Sequence, residues 1–369
     1  MDNIMEENIS VGLIGLGLIG GSLAKNFRRV FPQCRIVVYN RSEAPRLAAA
    51  ADGTADVVTD RVDETFGECD YIFLCMPVEY NISCLKNLKR IMKPGCILSD
   101  VGSVKSDIHA AIAAEGMLNC FIGGHPMAGS EKTGYENASA YLLENAYYAI
   151  TPTEATTQEN LDRFEAMIRT LGAVPIILSC EEHDYSVAAI SHVPHLIAAG
   201  LVNLVKQSDT PNETMKVLAA GGFKDITRIA SSSPVMWEQI CLENRENITK
   251  ILDDYIAYMQ NVREEVADSD GAAVNRLFVE SSAYRDSFSE NKPGLLPKSY
   301  TIIVDIIDEA GAISTIATIL ASNAISIKNI GIVHNREYDE GVLRIEFYEE
   351  KSLEKSVALL EKYKYTVHR

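Results

Sequence analysis

The chain has 369 residues, 47% of them hydrophobic and 23% charged, with ordinary numbers of glycine (23) and proline (12). A chain of this kind buries a sizeable core and divides into two or three domains, which excludes a disordered tail, a collagen-like repeat or a disulfide-stapled peptide. With 34 Lys+Arg against 51 Asp+Glu the formal net charge is −17, so neither nucleic acid nor an anionic membrane is an expected partner.

The N-terminal MDNIMEENIS is acidic and polar, unlike a secretory signal. No run of about 18 apolar residues is apparent, so no membrane span is expected. From Ile9 onward, short β-rich apolar runs alternate with helical ones. Strands are predicted at 9–14 (ISVGLI), 35–40 (RIVVYN), 70–76 (DYIFLCM), 96–101 (CILSDV), 121–126 (FIGGHP), 146–151 (AYYAIT) and 174–179 (VPIILS). This alternation predicts a mostly parallel sheet covered on both faces, a Rossmann-type α/β domain over residues 1–180. The eight cysteines (34, 69, 75, 84, 96, 120, 180 and 241) form no C-x-x-C pair and match no zinc framework, so they read as small hydrophobes in a reduced, cytoplasmic protein.

Strand signals stop at Glu181. Residues 181–288 carry apolar positions at helical spacing, and Pro194 is expected to end or kink the first helix. This segment reads as an all-α second domain. SENKPGLLPKS (289–299) has linker composition. Residues 299–369 then follow the order β-α-β-β-α-β of a small ferredoxin-like α+β domain. That tail holds 8 Lys+Arg and 11 Asp+Glu, which leaves a net −14 on residues 1–298.

The first chemical signal is Gly15, Gly17 and Gly20, a G-x-G-x-x-G directly after the first strand and at the opening of a helix. The first glycine allows a tight turn, the second lets backbone approach a pyrophosphate, and the third lets helix and strand pack closely. Exposed N–H groups at the helix start then hold phosphates. Leu16, Leu18 and Ile19 between these glycines, and Cys75, Met76 and Pro77 at the end of the strand 70–76, are expected to line this cofactor site. The second strand ends at Asn40, followed by Arg41 and Ser42. An NAD-specific site usually has an acid there, whereas an arginine suits the 2′-phosphate of NADP, so either NAD or NADP is expected, with a lean to NADP.

SDVGSVK (99–105) and GGHPMAGSEKTG (123–134) both follow strands of the same sheet, which puts both at its carboxyl edge beside the cofactor crevice. His125 is a candidate general base, since an imidazole with a pKa of about 6.5 accepts protons at neutral pH. Ser103 is a candidate hydrogen-bond partner for an alcohol oxygen. His192 and His195 flank Pro194; as metal ligands they lack a third partner, and no metal is expected. Lys224 and Arg228, with Asp225 between, are read on one helical face after two glycines, either as a ligand site or as a solvated salt-bridge face.

GLGLIGGSLA, SDVGSVK, GGHPMAGSE, SHVPH, GGFKDITRIA and the W-x-x-I-x-x-E-N run from Trp237 to Asn244 occur in this order in the prephenate dehydrogenases, which the chain resembles over roughly residues 9–285. The resemblance implies a nucleotide domain followed by a helical dimerisation domain, and oxidation of prephenate to 4-hydroxyphenylpyruvate in tyrosine biosynthesis by a homodimer. It also implies that His125 takes the proton of the substrate 4-hydroxyl and Ser103 places that oxygen. Arg228 would bind a carboxylate, His195 would position the substrate and His192 would support the site. Glu131 would lie in the segment gating the pocket, with Lys224 and Asp225 where a partner subunit reaches the active site.

The tail looks like an ACT domain, an amino-acid-sensing module that some members carry. Asp308, Gly311, Ala312 and Ile313 in its first strand–helix turn, with Asn329 on the next strand, are then candidates for binding tyrosine as a feedback effector. Arogenate dehydrogenase is the closest alternative. A 3-hydroxyacid dehydrogenase with a lysine base and a catalytically silent amino-acid sensor are the others.

Overall fold

The computed structural model describes residues 9–129, 132–288, 300–306, 311–333 and 342–368. Glu131, Asp308 and the linker 289–299 lie outside the described residues. The chain divides into two compact units, Met1–Ala283 and Tyr284–Arg369.

The first unit opens with β1 (Ser10–Ile14), β2 (Arg35–Tyr39), β3 (Val57–Thr59), β4 (Tyr71–Leu74) and β5 (Ile97–Asp100). They form a parallel sheet in the order β3-β2-β1-β4-β5. Every residue of β1, β4 and β5 is buried, which is why these strands read as unbroken apolar runs rather than alternating ones. β3 escaped the sequence reading: it is three residues long, partly exposed and flanked by acids, as a short edge strand tends to be. A parallel bridge from Leu98 to Phe121 connects β5 to a second sheet of β6 (Ile122–Pro126), β7 (Tyr147–Pro152) and β8 (Val174–Ile177). There β6 and β7 are antiparallel and β7 and β8 parallel.

One hydrophobic cluster packs on each face of the main sheet. Phe27, Phe73 and Phe164 are at the centre of one, and Phe66, Leu85, Leu98 and Ile112 of the other. Phe27 and Phe73 lie 5.6 Å apart between ring centroids, and Phe73 and Phe164 6.1 Å.

The helical segment begins with the helix Cys180–Val187, started by a capping box in which the Ser179 hydroxyl accepts from the Glu182 N–H and Glu182 answers the Ser179 N–H. The helix does not end at Pro194, one of the two expected outcomes. A π turn, Ala188–His192, intervenes, and Pro194 falls in the first turn of the next helix, Val193–Ser208, where its missing N–H costs little. The run Cys180–Ser208 is therefore continuous, and by length and composition it could cross a membrane, contrary to the sequence expectation. It nonetheless carries the buried polar residues His183, Asp184 and His192, each bonded to another element, as in a core helix of this unit.

The second unit is built from β9 (Tyr300–Asp305), the helix Ala312–Ser322, β10 (Ile327–Val333), β11 (Val342–Phe347), the helix Glu350–Lys362 and β12 (Val367–His368). Its antiparallel sheet has the order β10-β11-β9-β12, a ferredoxin-like arrangement whose core includes Ile302, Val304, Ile316, Leu320, Ile345 and Leu360.

The edge of the first sheet contains a buried ion pair. Asp100 and Lys105 are both fully buried, and the Lys105 ammonium donates to Asp100 Oδ2 and, at 2.7 Å, to the Gly124 carbonyl. Asp100 also accepts from the N–H groups of Gly102 (2.9 Å) and Gly124 (3.1 Å). The pair thus clamps the loop after β5 onto β6. A side chain on Gly124 would obstruct it, because its Cβ would lie 2.7 Å from the Asp100 carbonyl oxygen and 2.6 Å from the Tyr148 hydroxyl. Removing one member of a buried pair leaves the other uncompensated, so Lys105→Met is expected to cost about 3–5 kcal/mol in urea denaturation. The double variant Lys105→Met/Asp100→Asn should recover part of that loss; a double variant no more stable than the single one would contradict the pairing.

Candidate active site

The turn after β1 is shaped for close approach. Gly15 has φ +112°, and a Cβ there would meet the Met76 side chain at 2.7 Å and the Cys75 backbone at 2.9 Å. At Gly20 a Cβ would come within 2.0 Å of the Gly15 carbonyl oxygen, whereas at Gly17 it would meet nothing within 4 Å. Gly17 is the N-cap of the helix Leu18–Val30, whose first turn carries no acidic side chain. The result is an open helix N-terminus lined by glycine backbone, which fits a dinucleotide pyrophosphate.

Around it, Leu16 is buried, and Leu18, Ile19, Cys75 and Met76 are half-buried. Burial keeps the Cys75 thiol protonated, so it forms wall rather than nucleophile. Asn81 fixes the next turn by accepting from the Met76 N–H (3.2 Å) and donating to the Met76 carbonyl (2.7 Å), just before the exposed Pro77. Asn40 has a structural role that the sequence did not reveal. Its Oδ1 accepts from the Leu16 N–H at 3.1 Å and its Nδ2 donates to the Ser42 carbonyl at 3.2 Å, pinning the end of β2 to the glycine turn. Arg41 and Ser42 are exposed, with the Arg41 guanidinium 5.8 Å from the centre of the Tyr80 ring.

The clamp described above brings the loop carrying Ser103 alongside β6, which carries His125. His125 is half-buried near the end of β6, and its Nδ1 lies 2.8 Å from Nε2 of the buried His183. On the other side of the His183 ring, Nδ1 lies 2.8 Å from Asp184 Oδ1. Asp184 in turn accepts from the N–H groups of Lys105 (2.8 Å) and Ser106 (2.9 Å) at the start of the helix Ser106–Ala114. Burial works against its charge, but bonds from His183, Ser106 and Lys105 outweigh this and hold the Asp184 carboxyl below its usual pKa. Burial, reinforced by His183, Lys105 and His192, holds the His125 imidazole well below its ordinary 6.5.

His192 is buried, and burial pushes its pKa down to about 4. Its Nδ1 accepts from Asn244 Nδ2 at 3.2 Å, which also donates to the Asp184 carbonyl at 2.7 Å. His195 Nδ1 lies 2.8 Å from the Ser191 carbonyl, to which it donates. The His195 ring stacks on Trp237 at 3.8 Å between centroids.

Lys224 and Asp225 are exposed on the helix Gly221–Thr227. Arg228 does not continue that helix as expected. Thr227 leaves it at φ −94°, ψ 2°, and Arg228 opens the 3-10 turn Arg228–Ser231, which packs on the helix bearing His195. Sequence reading missed Asp100, Lys105, His183, Asp184 and the bridging role of Asn244. The available signal was an aspartate closing the apolar run CILSD and a lysine directly after GSV, whereas the His-Asp pair in the polar CEEHDYS gave none.

Two family models match the chain: prephenate dehydrogenase, nucleotide-binding domain, over residues 23–177, and prephenate dehydrogenase, dimerization domain, over residues 179–280. The prephenate dehydrogenase of Bacillus subtilis (strain 168) is 36% identical over 363 residues, covering 97% of each chain. The crystal structure of prephenate dehydrogenase from A. aeolicus, in complex with hydroxyphenyl propionate and NAD+, is similar with a TM-score of 0.72 and 30% identity, covering 76% of this chain and 98% of that one. Synechocystis arogenate dehydrogenase is similar at a TM-score of 0.68 and 28% identity, covering 76% and 100%. Both family models and a relative matched along nearly its whole length agree, and the chain belongs to the prephenate dehydrogenase family.

Proposed function

We propose that this protein oxidises prephenate to 4-hydroxyphenylpyruvate in the cytoplasm, with His125 as the general base. The observation that carries the reading is the setting of His125: an imidazole at the end of β6 whose Nδ1 lies 2.8 Å from the buried His183, in a chain whose first strand ends in an open glycine turn. Prephenate is a cyclohexadienol with a ring carboxylate, a pyruvyl side chain and a 4-hydroxyl. A bound NAD or NADP supplies the acceptor for the hydride leaving the hydroxyl carbon.

Nε2 of His125 takes the O–H proton, and Ser103 orients the hydroxyl oxygen. The bond from the ring to its carboxylate then breaks, CO2 leaves, and the released electron pair aromatises the ring to a phenolate, to which His125 returns the proton. Arg228, a planar fork suited to bidentate contact, holds a substrate carboxylate. His195 helps position the substrate, and His192, held toward its neutral form and bonded to Asn244, supports the site behind it. Lys224 and Asp225 belong to the rim, within reach of a partner subunit.

A homodimer is supported by the helical segment. Its own buried apolar cluster consists of Ala188, Val193 and Ile248, while Val217, Leu218, Val235 and Leu242 are each at least two-thirds exposed. Exposed apolar surface of this kind marks an association face. For the C-terminal unit we propose tyrosine as the effector. Gly311, Ala312 and Ile313 open the helix Ala312–Ser322, where N–H groups face an amino-acid carboxylate, and Asn329 is exposed on β10. Asp308 belongs to the same proposal as partner to the ammonium.

The test is nicotinamide reduction followed with prephenate and with arogenate, each with NAD+ and NADP+; absence of turnover with prephenate would refute the substrate assignment. His125→Asn is expected to lower kcat by about 10²–10⁴-fold with dinucleotide affinity retained, and Arg228→Ala chiefly to raise the KM for prephenate. Because the His125 pKa is depressed, the base stays unprotonated through neutral pH. The acid limb of kcat is therefore expected below 6.5, with activity lost as pH falls through it. Tyrosine is expected to inhibit, and calorimetric titration should detect its binding to the full-length chain; no heat and no inhibition would leave the C-terminal unit without this role.

A further inference from the structure

His183 and Asp184 are buried ionisable side chains that the proposed reaction does not use. Their bonding fixes where each proton resides. Asp184 accepts the N–H groups of Lys105 and Ser106 and is held ionised, so it has no hydrogen to give. The hydrogen on the 2.8 Å contact between Asp184 Oδ1 and His183 therefore sits on His183 Nδ1. With that single hydrogen on its ring, His183 has its lone pair on Nε2, so the hydrogen on the next 2.8 Å contact sits on His125 Nδ1. That leaves His125 Nε2 as the one ring position able to take a proton.

We propose that His183 and Asp184 are positioning residues that, with His125, form a three-member proton relay: they hold His125 in its base-competent tautomer and draw the transferred charge toward a buried carboxylate. The proposal rests on His125 being the base. When Nε2 of His125 gains the substrate's O–H proton, the Nδ1 proton passes to His183 Nε2, leaving His125 neutral and placing an imidazolium against Asp184. The reverse shift returns the proton to the phenolate, so no proton is gained or lost over the cycle. The logic is that of a serine-protease triad lengthened by one imidazole.

The surroundings make such a path necessary. Lys105, from the loop after β5, repels a cation on His125, and burial disfavours one. His192, on the π turn, and His109, on the helix Ser106–Ala114, are both held toward their neutral forms, chiefly by burial. Neither stabilises an imidazolium. Glu243, on the helix Pro234–Glu243, is pushed up to about 7 by burial and by Asp107 and Glu79, so it is partly neutral at working pH. Cys180 and Glu181, earlier on the helix of His183 and Asp184, are not among the partners of either ring: the Cys180 thiol, kept protonated chiefly by burial, contacts Ser106. Asp184 is the carboxylate in line with His125. It also sits at the N-terminus of the helix Ser106–Ala114, where negative charge is favoured.

Two variants of His183 separate the roles. His183→Gln retains a carbonyl oxygen able to accept from His125 Nδ1, preserving the tautomer but cutting the path to Asp184. His183→Phe removes both. We expect kcat with prephenate to fall about tenfold in the Gln variant and about 10²–10³-fold in the Phe variant, with KM for prephenate and NAD+ affinity within about twofold of the parent. The acid limb of kcat should move to lower pH in His183→Gln, because its imidazolium has lost the distant carboxylate.

Independently of any variant, ¹⁵N spectra of histidine-labelled parent protein should show both His125 and His183 as Nδ1–H tautomers. The proposal is overturned by an Nε2–H tautomer on either residue, or by a folded His183→Phe variant that keeps the parent's kcat and acid limb. His125→Asn distinguishes the two levels. If it turns over prephenate at the parent rate, the base assignment fails; if it is inactive while the His183 variants are unchanged, only the relay fails.

Discussion

A buried carboxylate is the constraint on which most of the first unit depends. Asp184 is fully buried, and such a charge persists only if its lone pairs are met by donors. The donors come from the loop and helix after β5 and from its own neighbour, His183. Satisfying one acid therefore ties the helical segment to the nucleotide-binding segment. Within the helical segment, Asn244 holds the Asp184 backbone by bonding its carbonyl from the end of the helix Pro234–Glu243. The Lys105–Asp100 pair then extends the same network to β6 through Gly124. Each tie costs desolvation, and the geometry it fixes is that of the segment next to His125.

This organisation explains why glycines cluster where they do. The turn at Gly15 to Gly20 needs backbone without side chains so that helix, strand and a phosphate can share one space. Gly124 needs the same so that the Asp100 backbone and the Tyr148 ring can approach it. The two demands are independent, yet both act at the carboxyl edge of one sheet, where open α/β folds place their ligands.

Much of this was legible in the sequence, and the gaps have physical causes. Strands buried on both faces announce themselves as apolar runs, so β1, β2, β4 and β5 could be read from composition alone, while the short, half-exposed β3 could not. Periodicity found the helices, but it cannot see a π turn. Pro194 was expected to end or kink a helix; the chain instead stays helical there, with a π turn directly before it. His125 and the glycine turn stood out because their residue types are unusual at those positions. His183 and Asp184 did not, because an His-Asp pair in the first turns of a helix looks like ordinary polar surface until the tertiary fold buries it. Asn40 misled in another way. As the residue at the end of β2 it reads as a statement about cofactor choice, whereas its side chain is engaged in holding the glycine turn.

The charge balance also separates the labour among the cationic candidates. The first 298 residues carry a net −14, so attraction of an anionic dinucleotide and a dianionic substrate has to be local. Lys105 is fully committed to Asp100 and the Gly124 carbonyl, and His125 and His192 are held neutral by burial. Anion binding then falls to the open helix N-terminus at Gly17 and, under the proposed function, to Arg228, whose planar fork suits a carboxylate. The division is chemically necessary rather than convenient. A histidine placed close against a substrate carboxylate would have its pKa raised by that charge, and would arrive at the reaction already protonated. Keeping the base in a neutral, buried setting, with its compensating carboxylate behind it rather than in front, lets it remain empty until the hydroxyl proton is delivered.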